Sequence, residues 1–398
     1  MIHDMKLCVG CSACVSICPL KCISMEESTE GFLYPVIDQN KCMNCGKCTQ
    51  SCPMNKSLNY QGKVPETLAA INNDANVRRK SSSGGIFSLL AETVILQNGI
   101  VFGAAFDKDF KVKHVAVAVM DEVARLYGSK YVQSDMGECF QEVKKYLEKG
   151  RLVLFSGTPC QINGLKAYLN FNPPNLICVD FICYGVPSPA IFEKYKKSLE
   201  CVYQSQIRSI SFRDKKTGWS NKNFASVYNF ANKKEKRGVS TVDLFYKSMC
   251  EGLTTRFACS SCQYKSIERS SDITLADFWG IGKICPQFDD GLGTSLVMVH
   301  TEDGKSLIGE IENKMRSTEI SIKLAILYNQ AAQKAVLLHP KRRKFFEEVE
   351  NIQIGEGFLK LLESYLRVDF AHRVARKFRS VSNNLYNKIQ IKIAKMRD

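Results

Sequence analysis

The sequence predicts a mixed α/β (α+β) protein with a small cysteine-rich unit first, a larger α/β body next and a basic helical tail last. Three observations carry this reading. Two cysteine runs repeat within the first 53 residues, apolar strands alternate with helical segments from Ile86 to Phe278, and lysine and arginine concentrate after residue 341.

The first run is Cys8-x2-Cys11-x2-Cys14-x3-Cys18-Pro19 and the second Cys42-x2-Cys45-x2-Cys48-x3-Cys52-Pro53. This is bacterial ferredoxin spacing, in which three thiolates close around one cubane and the fourth, beside the proline, reaches across to the other. Two 4Fe-4S clusters are expected, with Cys8, Cys11, Cys14 and Cys52 on the first and Cys42, Cys45, Cys48 and Cys18 on the second. The short gaps turn backbone N–H groups toward the sulfurs. Soft thiolates without histidine favour iron-sulfur over other metals. A pair of zinc ribbons is the competing reading, which the eight-cysteine register disfavours. Between the runs, Ile23 to Met25 and Phe32 to Val36 read as strands of a hairpin turned at Glu30-Gly31. The unit is expected over residues 1–58, with a linker at Asn55 to Pro65.

The chain of 398 residues, 45% hydrophobic and 24% charged, suggests two or three globular domains. No stretch approaches the ~18 apolar residues of a membrane span, and Met1 to Gly10 lacks the apolar core of a signal peptide. A cytoplasmic location is expected. Eighteen cysteines beside ferredoxin loops read as reduced thiols, not disulfides. The formal charge is +15, and residues 341–398 hold 14 basic against 7 acidic residues. Each oxidised cubane with its thiolates subtracts about two charges, so the basic character belongs to the tail.

In the body, Ser81-Ser82-Ser83-Gly84-Gly85 precedes an apolar helix, Ile86 to Gln97. Such a helix start suits a phosphate, and plain capping explains it equally. The chain has neither GxGxxG nor GxxxxGK[ST], so NAD(P)H is a poor candidate for direct donor. Strands are expected at Ile100 to Phe106 and Val112 to Met120, and a helix at Met136 to Lys149. A pattern then repeats. The strand Arg151 to Phe155 breaks at Ser156-Gly157-Thr158-Pro159, with Cys160 opening a helix to Leu169. The strand Leu176 to Ile182 ends at Cys183-Tyr184-Gly185, with Ser188-Pro189 as cap and first residue of the next helix. Alternation of this kind implies a parallel sheet whose ligands gather beyond the strand carboxyl ends. Cys259-x2-Cys262 follows, and then the strand Asp272 to Phe278. Cys160, Cys183, Cys259 and Cys262 suit a third 4Fe-4S cluster, a structural zinc, or a zinc on the last two with the first two as buried apolar residues. Cys22, Cys139, Cys178, Cys201, Cys250 and Cys285 lack partners at ligand spacing and read as packing residues.

Taken together, Ser82-Ser83-Gly84-Gly85-Ile86-Phe87, Gly128-Ser129-Lys130-Tyr131, Gly157-Thr158-Pro159-Cys160-Gln161, Cys183-Tyr184-Gly185-Val186-Pro187-Ser188-Pro189, Cys259-x2-Cys262 and Ser271 to Gly280 resemble the coenzyme F-420 hydrogenase/dehydrogenase beta subunit family. The resemblance covers residues 1 to about 320. It implies a flavin, usually FAD, beside a 4Fe-4S cluster, with a flavin-binding part at 65–145, a part holding the third cluster at 146–320 and a tail at 321–398. On this resemblance Cys160, Cys183, Cys259 and Cys262 are ligands of the third cluster. Ser82, Ser83, Gly84, Gly85 and Thr158 are flavin contacts, with Ser83, Gly84 and Gly85 at its phosphates. Lys130 and Tyr131 lie near the isoalloxazine ring, and with Asp277 they are the polar groups expected near substrate. Relatives often carry histidine where this chain has Tyr184, which removes any imidazole proton relay there. Members with this N-terminal layout also resemble proteins encoded among surface-polysaccharide genes.

The tail carries an apolar stripe at Val374, Phe378, Val381, Leu385, Ile389 and Ile393, flanked by basic residues. It suits peripheral contact with anionic lipid, docking to a partner subunit, or packing on its own domain. No nucleic-acid recognition motif accompanies it. The expected function is an iron-sulfur flavoprotein oxidoreductase. A ferredoxin-like donor or partner subunit delivers single electrons, and a small-molecule or glycan-precursor substrate exchanges two. An electron-transfer subunit without substrate pocket, a reductase of the deazaflavin coenzyme F-420 and a non-catalytic redox sensor or scaffold are the rivals.

Overall fold

The computed structural model describes residues 4–56, 64–220, 223–367 and 386–393. The N-terminal unit holds the short helix α1 (Ala13–Ile17) and the antiparallel strands β1 (Ile23–Glu27) and β2 (Leu33–Ile37), with Ile23 opposite Ile37. The hairpin tip is wedged into the body. Gly31 has φ +77, and a Cβ there would lie 2.1 Å from the Ala190 Cβ, so only glycine fits the turn. Phe32, beside it, is fully buried in the aromatic core of the body. The Glu30 carboxylate accepts both Arg342 terminal nitrogens at 2.5 and 2.6 Å, and its carbonyl accepts the Ser188 hydroxyl at 2.6 Å.

The body is built on one sheet with strands β3 (Glu66–Asn72), β4 (Ile100–Phe106), β5 (Val112–Val117), β6 (Val153–Ser156) and β7 (Leu176–Phe181). After a separate antiparallel sheet of β8 (Ile207–Asp214), β9 (Ala225–Phe230) and β10 (Glu235–Val239), the chain adds β11 (Ile273–Asp277), β12 (Ser295–Val299) and β13 (Met315–Glu319) to the first. The order is β13-β3-β12-β11-β7-β6-β4-β5. Only the centre matches the expected parallel sheet: β4, β6, β7 and β11 run parallel, while β5, β12, β3 and β13 add antiparallel edges. Residues 65–145 and 146–320 therefore share a single sheet.

Apolar helices cover both faces. α2 (Ile86–Leu96) packs on one side among Leu68, Val101, Leu154 and Val297. On the other side, α3 (Cys139–Glu148) and α4 (Pro159–Leu169) bury Phe140, Ile162 and Leu165 against Phe102 and Phe155. Ser188 caps α5 (Pro189–Tyr203) by accepting from the Ile191 amide, as the Ser-Pro pair predicts. The expected strand to Met120 stops at Val117 and a short helix, Met120–Val123, follows. Asp121 and Glu122 occupy its first turn, where the helix dipole favours negative charge.

Past β13, α6 (Arg342–Glu350) and α7 (Glu356–Leu366) bury Phe345, Phe346, Phe358 and Leu362 in the aromatic core with α5. Val374, Phe378, Val381 and Leu385 lie outside the described residues. In the helix over residues 386–393, Ile391 and Asn387 are buried while Ile389 and Ile393 are 49% and 41% exposed, so these last two predicted stripe positions are not its buried face.

Candidate functional site

The thiols of the first expected set meet. Cys8, Cys11, Cys14 and Cys52 line one cavity with Asp4, Gly10 and Pro53, so Cys52 crosses over from the second run. Peptide amides point at the sulfurs: Ala13 at Cys11, Val15 at Cys14, and Met54 and Asn55 at Cys52. Burial foremost, with the nearby Cys8 and Cys52 adding to it, pushes the Cys11 thiol up to about 12. Thiolates held this close need a compensating cation.

In the second set, Cys18, Cys42 and Cys48 pack partly buried around Cys14, Cys22 and Ile23, while Cys45 is exposed. The amides of Leu20, Lys21 and Cys22 point at Cys18. Cys22 is more than packing, because its sulfur lies 3.4 Å from that of Cys18. A thiol only four residues past the last ligand of the run was the available signal. Cys139, Cys178 and Cys285 are buried as expected, but Cys201 is exposed on the last turn of α5 and is not a packing residue.

The scattered quartet also converges. Cys160, Cys183, Cys259 and Cys262 line a second cavity. Cys160 enters from the first turn of α4, whose cap Thr158 places its hydroxyl 3.0 Å from the Cys160 sulfur. Cys183 enters after β7 and accepts from the Gly185 amide, and Cys259 accepts from that of Val186. Burial pushes Cys259 up to about 12 and Cys160 well above its ordinary value. Tyr184 lines this cavity and its hydroxyl donates to the Cys250 carbonyl at 3.3 Å. Among the described residues, no three His, Cys, Asp or Glu side chains converge tightly enough to hold a single metal ion.

The two cavities adjoin. Val9 lines both, and a Cβ on Gly164, one turn past Cys160 on α4, would lie 2.9 Å from the Cys11 sulfur.

Residues 150–323 match the C-terminal region of the coenzyme F420 hydrogenase/dehydrogenase beta subunit, and residues 7–56 and 34–81 each match a 4Fe-4S dicluster domain. No curated protein matches the chain. Among solved structures, a chain of the xenon-derivatized F420-reducing NiFe hydrogenase complex from Methanosarcina barkeri aligns at 18% identity over 74% of this chain and 94% of that one, with a TM-score of 0.46. The third thiol quartet lies wholly within the beta-subunit match, and the first two lie within the dicluster matches.

The other residues singled out by the beta-subunit resemblance separate into groups. Ser82, Tyr131 and Asp277 gather on one residue the sequence did not reveal, Arg213. Its guanidinium binds both Asp277 oxygens at 2.8 and 2.9 Å, the Tyr131 hydroxyl at 3.1 Å and the Ser82 carbonyl at 3.1 Å. It sits 4.0 Å from the Phe224 ring centroid and 5.1 Å from that of Trp279, which stacks on Trp219 at 4.9 Å. The available signal was that these are the only two tryptophans in the chain. Lys130 stands apart, donating to the carbonyls of Arg125 and Tyr127 at 3.0 and 2.9 Å, and burial lowers its pKa to about 7. Thr158 belongs to the cavity of the third quartet.

Ser83 and Gly84 spend the expected phosphate donors internally. The Ser83 hydroxyl donates to the Thr294 carbonyl at 2.7 Å, and the Gly84 amide to the Ser295 hydroxyl at 3.0 Å. A Cβ on Gly84 would lie 2.4 Å from the Ala70 carbonyl oxygen. Close approach to the sheet explains that glycine, and the donor set at Ser83 and Gly84 does not fit a flavin phosphate. Gly85, with φ +80, caps α2.

Proposed function

We propose that this chain is an iron-sulfur, flavin-dependent oxidoreductase that takes single electrons from a ferredoxin-like carrier or partner subunit and exchanges two with a small-molecule or glycan-precursor substrate. One observation carries the reading: two thiol quartets, one from the N-terminal runs and one from the beta-subunit region, face adjoining cavities with Val9 common to both. The clusters would supply one-electron chemistry and the flavin two-electron chemistry.

The protein's own residues hold and insulate these groups. Cys8, Cys11, Cys14 and Cys52 would hold the first cluster, Cys18, Cys42, Cys45 and Cys48 the second, and Cys160, Cys183, Cys259 and Cys262 the third. The hairpin clamp of Glu30 and Arg342 fixes the N-terminal unit to the body. Arg213 orients Tyr131 and Asp277 as one polar assembly beside Trp219 and Trp279, and this assembly supports the flavin and substrate reading better than Ser83 and Gly84 do.

Anaerobic purification with iron, sulfide and flavin counting tests the proposal. About twelve irons and one flavin are expected. About eight irons without flavin would leave an electron-transfer subunit in place of an oxidoreductase.

A further inference from the structure

The walls of the two thiol-lined cavities differ in charge. Among the described residues, the charged side chain lining the first cavity besides its cysteines is Asp4, with no Lys, Arg or His. The second is lined by three cations, Arg256, Lys265 and Arg269, and by no Asp or Glu. A buried cation ordinarily has a carboxylate partner. Arg256 is 0% exposed, yet it donates only to neutral acceptors: the Cys8 carbonyl at 2.8 Å, the Gln133 side-chain oxygen at 3.0 Å and the Leu33 carbonyl at 3.0 Å. Its remaining neighbours are the rings of Tyr34 and Phe32, with centroids at 4.1 and 5.3 Å. Lys265 donates to the carbonyl of Cys183, itself one of the quartet, and to that of Ala331 at 2.9 Å. Arg269 has one carboxylate near it, Asp180 at 3.8 Å. Its buried Nε has no hydrogen-bond partner.

Three cations lining a low-dielectric cavity favour negative charge within it. The reduction potential of a thiolate-bound cluster follows its net charge, its hydrogen bonds and its exposure, because an added electron adds negative charge. We propose that Arg256, Lys265 and Arg269 make the site of Cys160, Cys183, Cys259 and Cys262 more easily reduced than the adjoining site of Cys8, Cys11, Cys14 and Cys52, so that electrons reaching that N-terminal site pass on into the body. The transfer is of one electron: the N-terminal site loses what the central site gains, and no bond forms or breaks. Arg256 touches both sites, since it also holds the carbonyl of Cys8. Lys265 and Arg269 line only the central cavity, which makes Lys265 the diagnostic residue.

The inference rests on the third cluster proposed above, and the experiment separates the two. The full chain is titrated anaerobically with dithionite against redox mediators and followed by electron paramagnetic resonance, and the signal lost in Cys259→Ala identifies the central site. In the wild type this signal is expected at a higher midpoint than the signal lost in Cys11→Ala, which identifies the site of Cys8, Cys11, Cys14 and Cys52. Lys265→Gln, which keeps a donor for the Cys183 carbonyl, should make reduction of that site about tenfold less favourable, about 59 mV for one electron, leaving the N-terminal signals in place. Lys265→Arg should restore it. Cys259→Ala and Cys11→Ala serve only to assign the two signals. A central midpoint at or below that of the Cys8, Cys11, Cys14 and Cys52 site in the wild type overturns the inference. So does an unmoved midpoint in Lys265→Gln. About eight irons in the wild type, with no signal lost in Cys259→Ala, would overturn the third cluster itself, and the ordering with it.

Discussion

Replacing Arg213 by methionine removes the hub of the polar assembly and leaves its partners in place. The Arg213 side chain is 3% exposed and that of Asp277 17%, so the carboxylate left behind is largely desolvated. Breaking a buried pair from one side costs about 3–5 kcal/mol. The lost contact with the Phe224 ring at 4.0 Å adds about 0.5–2 kcal/mol. Against a total stability of about 5–15 kcal/mol this is a large fraction. Arg213→Met with Asp277→Leu removes both charges, and an apolar replacement of similar volume is often close to neutral. The double variant should therefore be more stable than Arg213→Met alone, with a coupling energy of at least about 2 kcal/mol. Urea unfolding of anaerobic protein, followed by tryptophan fluorescence, reports on this place directly, because the only two tryptophans of the chain stack beside Arg213. A loss below about 1 kcal/mol for Arg213→Met, or additive single effects, would refute the argument. Flavin content in the double variant supplies a second readout: a purely structural pair leaves it intact, and a cofactor-orienting pair loses it.

Other expectations follow from the same geometry. Gly31→Ala should loosen the hairpin tip by about 1–3 kcal/mol, since its Cβ would collide with Ala190; faster amide exchange over β1 and β2 would register it, and unchanged exchange would count against the wedge. Cys52→Ala should cost about four irons from the site of Cys8, Cys11 and Cys14, and loss of the other N-terminal signal instead would reverse the crossover. Burial, with Arg269 nearby, holds the His300 imidazole down to about 3, below its unfolded value of about 6.5. The unfolded chain then takes up the proton first, so stability is complete above pH 6.5 and falls as pH drops below it, by up to about 2 kcal/mol at pH 5. His300→Gln should flatten that part of the urea-midpoint profile relative to wild type; an identical profile would show that His300 does not titrate this way.

What could be read in advance was local. The Ser-Pro cap of α5 and the alternation around β6 and β7 are encoded in short stretches of chain, and the structure reproduces them; ligand spacing is equally local, and the thiols of the first expected set line one cavity. The antiparallel margins were hidden because β3 takes its neighbours β12 and β13 from the far end of the body, and no short window of sequence records such pairings. Arg213 was hidden for the same reason: Asp277 is 64 residues away and Ser82 131. The Ser83-Gly84 stretch misled in another way. A glycine needed for close approach to a sheet and one needed for close approach to a phosphate look alike in sequence.

Helix α4 has a consequence for the chemistry it borders. Cys160 opens this helix, and Cys11 rests against it one turn later at Gly164, so the interval between these two sulfurs is set by the pitch of a single rigid rod. On the proposed reading, swinging loops or a docking partner can change when an electron arrives, while the length of its hop between these two thiol sites stays fixed by the helix and by the packing of Cys11 against it.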